Sequence, residues 1–293
     1  MIMNTAQQPL PVVVGVDGSP SSRAALAWAA RWAGHFGHPV RLLTAQQLRA
    51  SSPLIEDQIR QDIKTKLREQ AQALEADHER LNVAADVVWL NPAQALVEAS
   101  RDAVAVVVGN RGVGGWHGLT LGSVSVAVSS HAHSPVIVVP EGTDPVSLHS
   151  EVVLGVDGSP ESHEAAEFAF EQAARLSCRL RAVHVRTPGQ ILGVSVDALS
   201  DRGPLPSQDE SRLMATALAP LRHQWPDVIV EETFVAGDPA RELAAQGRGA
   251  ALVVVGSRGL GGFRGLLLGS TSRDLLQAVP APVAVVRYGV RSG

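Results

Sequence analysis

The strongest constraint in this sequence is a pattern it carries twice. VVVGNRGVGGWHGLTLGSVS occupies residues 106–125, and VVVGSRGLGGFRGLLLGSTS occupies residues 253–272. Apolar strands recur wherever hydrophobicity is similar. Glycines and hydroxyls held at one spacing call for a repeated backbone shape, and for something that shape holds. The duplication runs further. PVVVGVDGSPSSRAALAWAAR at 11–31 returns as EVVLGVDGSPESHEAAEFAFE at 151–171, NPAQAL at 91–96 as DPAREL at 238–243, and SPVIVVP at 134–140 as APVAVVR at 281–287. The offset grows from 140 to 147 positions between the first two of these matches, so seven extra residues enter the second copy within 186–225. The chain is expected to form two domains of one type, residues 1–142 and 151–293, joined by a linker at 143–150 that contains Pro145. A length of 293 residues suffices for two separate cores.

Within the first copy, residues 12–16, 40–45, 84–89, 104–108 and 136–139 are short runs rich in β-branched residues, as strands buried on both faces should be. Ser19–Pro20 and Ser159–Pro160 each supply a helix cap followed by a preset first turn. Residues 55–81 place Ile55, Ile59, Ile63, Leu67 and Leu74 near helical spacing, with charges between them. Strands alternating with helices predict an α/β protein, each copy a parallel, doubly wound sheet covered by helices. The fifth strands, at 135–139 and 282–286, would lie at sheet edges. A bare apolar edge invites pairing, so the two domains are expected to associate edge to edge within the chain.

Composition narrows the class. Apolar residues make up 45% and charged residues 18%, the balance of a globular chain. No run reaches the roughly 18 apolar residues of a membrane span. No secretory leader is read at the N-terminus. One cysteine, Cys178, cannot form an internal disulfide and suits a reducing compartment, so a cytoplasmic protein is expected. A net charge of −4 without a dense basic run argues against a nucleic-acid partner.

The glycine stretch begins where the fourth strand ends, and ligands of open α/β sheets sit beyond the carboxyl ends of strands. The first strand ends there too, carrying Asp17 in one copy and Asp157 in the other. Gly109 and Gly112 let the chain turn closely past a ligand, and Gly122–Ser123 then lead into a helix whose N-terminus suits an anionic phosphate. Ser125 adds a hydroxyl. Gly256, Gly259, Gly269, Ser270 and Ser272 repeat the spacing. Neither the P-loop pattern nor G-x-G-x-x-G after the first strand is present in either copy. On the residues alone, glycines that only shape a turn and serines that only cap a helix remain open. Asp17 and Asp157 could equally accept hydrogen bonds from their own turns.

G-x2-G-x9-G-[ST] after the fourth strand, with V-x-D-G-S at the first, resembles the universal stress protein family, in particular its tandem-domain, ATP-binding members from mycobacteria and related actinobacteria. The resemblance spans both copies. It implies flavodoxin-like (Rossmann-like) domains, each with a five-stranded sheet in the order 3-2-1-4-5, and ATP as ligand, often with a divalent cation such as Mg2+. It puts phosphate contacts on Gly109, Gly112, Gly122 and Ser123, and on Gly256, Gly259, Gly269 and Ser270, with Ser125 and Ser272 as second hydroxyls. Asp17 and Asp157 match the aspartate beside the nucleotide, Ala45 and Val185 the position whose backbone meets the adenine, and Val108 and Val255 the apolar residue before the loop. It also implies a homodimer of chains and a regulatory protein partner. The copies differ where His117 stands opposite Arg264 and Asn110 opposite Ser257; a permanent guanidinium near phosphate would favour the second copy.

Other candidates carry less. His131 and His133 form H-x-H near a helix end without a third ligand close in sequence. Cys178 reads as a buried apolar residue, and the scattered tryptophans as helix–sheet packing. The function expected is a nucleotide-dependent regulator or sensor of the stress response, with one ATP site per domain. The rival is a slow ATPase in which Asp17 or Asp157 holds Mg2+ or orients water. Efficient phosphoryl transfer needs a base, a metal and a cationic clamp, and the loops offer no lysine, only Arg111, Arg258 and Arg264. A third reading is an adapter without nucleotide.

Overall fold

A computed structural model describes residues 9–47, 53–113, 121–144, 150–187, 206–260, 267–278 and 281–289, together with the backbone of 190–191 and 194–195. The first half runs β1 (Val12–Gly15), α1 (Pro20–Phe36), β2 (Val40–Ala45), α2 (Pro53–Asp77), β3 (Val83–Val88), α3 (Pro92–Ala99), β4 (Ala105–Gly109), α4 (Ser123–His131) and β5 (Val136–Val139). The second repeats it with β6 (Val152–Gly155), α5 (Pro160–Leu176), β7 (Leu180–Arg186), a small hairpin β8 (Gln190–Ile191) and β9 (Val194–Ser195), then α6 (Gln208–Gln224), β10 (Val230–Ala236), α7 (Pro239–Gln246), β11 (Leu252–Gly256), α8 (Ser270–Ala278) and β12 (Val283–Val286). The hairpin falls inside the region where the second copy is longer.

Local chemistry sets the helix starts. Ser19 accepts from the Ser22 N–H and Ser159 from the Ser162 N–H, each with proline at the next position. Asn91 and Asp238 cap α3 and α7 in the same way, again before proline. Each cap satisfies amides that have no partner within the helix, and proline costs nothing there because its missing N–H is one of those orphans.

The sheet is where expectation and structure part. Instead of two five-stranded sheets there is one sheet of ten strands, ordered β10-β7-β6-β11-β12-β5-β4-β1-β2-β3. Each half keeps the order 3-2-1-4-5 and is parallel throughout. The halves join because β12 pairs with β5 antiparallel, Ala284 opposite Ile137. The edge-to-edge association expected from the apolar fifth strands is thus present, and it fuses the sheets. It also consumes the fifth-strand edge of each half, leaving β3 and β10 at the two ends of the sheet.

Alternation along the strands feeds two cores. Val12 and Val14 face one layer with Trp28 and Trp32 of α1, while Val13 faces the other with Leu96 of α3 and Val128 of α4. Both cores run through both halves. Across the seam the Trp32 indole N–H donates to Gln172 Oε1 at 3.0 Å, the Arg175 guanidinium lies 4.4 Å from the Phe36 ring centre, and Arg287 donates to the Ala132 carbonyl at 2.9 Å. Among the described residues no helix is long and apolar enough to cross a membrane.

Candidate functional site

β1 and β4 lie side by side, so the turn after Gly15 and the turn after Gly109 open at the same end of the sheet. Asp17 ties them together. Its Oδ1 accepts from the Ser19 N–H at 2.9 Å and its Oδ2 from the Val113 N–H at 3.2 Å. Asp157 does the same, with Ser159 N–H at 2.9 Å and Leu260 N–H at 3.2 Å. The aspartate therefore serves its own turn and also pins the glycine loop, 96 residues away in the first half.

The glycines are required by closeness. A Cβ on Gly109 would stand 2.6 Å from the Ser21 backbone carbon, and on Gly256 2.8 Å from that of Glu161. On Gly112 it would stand 2.8 Å from Asp17 Oδ2, and on Gly259 2.4 Å from Asp157 Oδ2. The far end of the loop is closed by Gly122 N–H donating to the Asn110 carbonyl at 2.7 Å, matched by Gly269 to Ser257 at 2.7 Å. Helix α4 starts directly after, Gly122 being its cap and offering no side chain to the first amides. Those amides, at Ser123, Val124 and Ser125, border the cavity at the positive end of the helix dipole.

That cavity measures about 450 Å³, within the range of ligand sites. Asp17, Ala45, Val108, Gly109, Gly112, Gly122, Ser123 and Ser125, all singled out from sequence, line it. The Ser125 hydroxyl is committed elsewhere: buried, it donates to the Gly109 carbonyl at 2.8 Å, as Ser272 does to Gly256 at 2.7 Å. Val16, Leu43, Pro92 and Leu96 complete an apolar wall that sequence reasoning did not name, although NPAQAL recurring as DPAREL signalled it.

The second cavity is smaller, about 120 Å³. Asp157, Val185, Val255, Gly256, Gly259 and Ser272 line it, and Gly269 and Ser270 do not. The two halves also differ in what backs the loop. Ser21 hydrogen-bonds the backbone N–H and carbonyl of Arg111, whereas Glu161, at the same place in α5, pairs with the Arg258 guanidinium. His117 and Arg264, expected to distinguish the copies, lie outside the described residues, as does Trp116. His131 Nδ1 bonds the Ala127 carbonyl at 2.9 Å, a contact within its own helix.

Residues 10–140 and again residues 150–287 match the universal stress protein family. The chain belongs to that family. A universal stress protein of Mycobacterium tuberculosis is 35% identical, the match covering 97% of each chain, and one of Mycolicibacterium smegmatis is 35% identical over 94% of this chain and 96% of its own. Among solved structures, a universal stress protein from Archaeoglobus fulgidus superposes with a TM-score of 0.72 at 21% identity, covering 96% of this chain and 97% of the other. At that identity the likeness speaks for the fold. These matches cover nearly the whole of their partners, so the tandem arrangement belongs to the universal stress proteins matched and not to this chain alone.

Proposed function

We propose that this universal stress protein is a nucleotide-dependent regulator or sensor, with an adenine-nucleotide site at the glycine loop of each half and ATP as the ligand of the first. The observation that carries the reading is the first cavity. An apolar wall of Val16, Leu43 and Leu96 stands beside a glycine loop and the open N-terminus of α4, so a flat apolar base and an anionic tail each meet their complement. The choice of adenine rests on the family resemblance. Mg2+ fits in a limited way: among the described residues Asp17 is the one carboxylate lining the cavity, and Mg2+ commonly takes one or two carboxylates together with substrate phosphates. When bound, the ion would neutralise phosphate charge.

Regulation is favoured over hydrolysis because Asp17 holds two backbone amides and on this reading the ion as well, and no second carboxylate among the described residues lines the cavity to act as a base for water. The homodimer and the regulatory partner that the resemblance implies remain part of the proposal. Such a dimer would use a surface other than the β5 and β12 edges, whose pairing is internal.

Calorimetry with ATP on the purified protein, together with mass spectrometry of ligand released from it, tests the reading. Gly112→Glu should abolish binding at the first site with the circular-dichroism spectrum unchanged, because the new side chain would press on Asp17 and bring a second negative charge to the phosphate position. No heat with ATP and no released nucleotide would leave the adapter reading in its place. Steady release of phosphate at a rate that Gly112→Glu removes would favour the ATPase.

A further inference from the structure

We propose that Glu161 is a specificity-determining residue that makes the two sites unequal, so that the second site binds ATP and AMP alike while the first prefers ATP. The inference rests on the nucleotide reading above and deepens it.

Both glycine loops carry an arginine after the first glycine, Arg111 and Arg258, and each lines its cavity. The difference lies in what holds them. Arg111 reaches Glu141 at 3.7 Å with both side chains about half exposed, 47% and 51%. Such a pair is screened by water and weak, so the guanidinium is available to turn toward a phosphate. Arg258 is itself 43% exposed, close to Arg111, but it is held by Glu161, whose side chain is only 8% exposed; Nε donates to Oε1 at 2.8 Å, and Nη2 contacts the same oxygen. Drawing Arg258 away would strand a buried carboxylate, which is far more costly than parting two solvated ions. Arg258 is therefore a neutralised wall of its site and not a phosphate clamp.

The position of Glu161 explains why the pair is stable. It sits in the first turn of α5, where the helix dipole favours an anion, and its backbone lies against Gly256. In the first half Ser21 occupies this place, too short to reach the arginine side chain, and bonds the loop backbone of Arg111 instead. Arg287, at the end of β12, is also close enough to feel Arg258 and Glu161, and burial is the main cause lowering its guanidinium pKa. It is not among the residues lining either cavity, and it donates to the Ala132 carbonyl of the first half. The second cavity is also the smaller, about 120 against about 450 Å³.

Calorimetry with ATP and with AMP on full-length single-site variants tests this. Gly259→Glu, which leaves the first site, should bind ATP at least about tenfold more tightly than AMP, the value of one charge-assisted hydrogen bond to phosphate. Gly112→Glu, which leaves the second, should bind the two within about threefold. Adding Glu161→Gln to Gly112→Glu, which keeps the shape and removes the charge, should raise the ATP preference to about tenfold. Ser21→Glu in the Gly259→Glu background should lower it, an independent arm should the glutamine variant misfold. A second site that prefers ATP as strongly as the first, or a preference that neither substitution moves, overturns the role of Glu161 while leaving nucleotide binding intact. Absence of binding by ATP and AMP in the native protein overturns the nucleotide reading, and this inference with it.

Discussion

In the first half the glycine loop is backed by a serine that touches only its backbone; in the second it is backed by a glutamate that grips its arginine. The backbone frame around these two contacts is shared. Asp17 and Asp157 make the same two backbone bonds, the amides of Gly122 and Gly269 close the loops at the same distance, and the hydroxyls of Ser125 and Ser272 reach equivalent carbonyls. Duplication thus preserved the backbone frame and let the side chain facing the loop vary. On the proposed reading the frame would hold the anion, and the side chain behind it would set how strongly and how many phosphates count.

The severest way to break the comparison is to part the halves. Ile137 is fully buried in the seam opposite Ala284. Ile137→Lys should cost more than about 4 kcal/mol, the scale of an unpaired buried charge, and scanning calorimetry should show early melting or two transitions in place of one. If the melting temperature shifts by only a degree or two, the seam does not unite the halves, and the two sites belong to independent bodies.

A gentler comparison uses the turn after the first helix of each half. Gly37 ends α1 at φ 73°, while Ser177 ends α5 at φ 52°, a left-handed conformation that costs a residue with a side chain about 1–2 kcal/mol. Ser177→Gly should stabilise the protein by up to about 1 kcal/mol, raising its melting temperature by roughly 2–4 °C for a chain of this size, and Gly37→Ser should lower it by a similar amount. Equal and negligible shifts in both would mean that the turn strain is relieved in some other way.

The smallest effect concerns the next position, His38 in one half and Cys178 in the other. Burial, and then the Arg175 charge, hold the His38 imidazole below its ordinary value, despite the Leu10 carbonyl beside it. Its folded form resists protonation while the unfolded chain accepts a proton near pH 6.5. Stability supplied by neutral His38 is therefore complete above that pH and declines as pH falls below it; denaturant titrations of His38→Asn should show a flatter slope there. Burial pushes the Cys178 thiol up, so alkylation at neutral pH should be slower than for a free thiol.

Much of this was legible in the sequence, for reasons that can be named. Buried strands announce themselves by β-branched runs, and all five in the first half sit within one residue of where those runs placed them, β2 and β5 at the same bounds. The caps at Ser19 and Ser159 are local, carried by adjacent residues. The edge pairing of β5 was inferable from an exposed apolar strand; its antiparallel sense and the single ten-stranded sheet were not, since they depend on how one half turns over against the other. The hydroxyl of Ser125 shows the limit inside the site: sequence marks a donor near a loop but not that its proton goes to a carbonyl 16 residues back. Glu161 escaped notice because its partner lies 97 residues away, and in the repeat it reads as one more surface difference. Setting PSS beside PES would have flagged it.

One consequence of the antiparallel seam concerns traffic. Because the strands of the two halves run in opposite directions, their carboxyl ends lie at opposite margins of the common sheet, and the two mouths open toward opposite hemispheres of solvent. A body docked over one mouth would leave the other unobstructed, so on the proposed reading each compartment would fill and empty by its own route. A chain captured on one side can still sample the surrounding solution on the other, as a room with doors in facing walls admits visitors while one door is blocked.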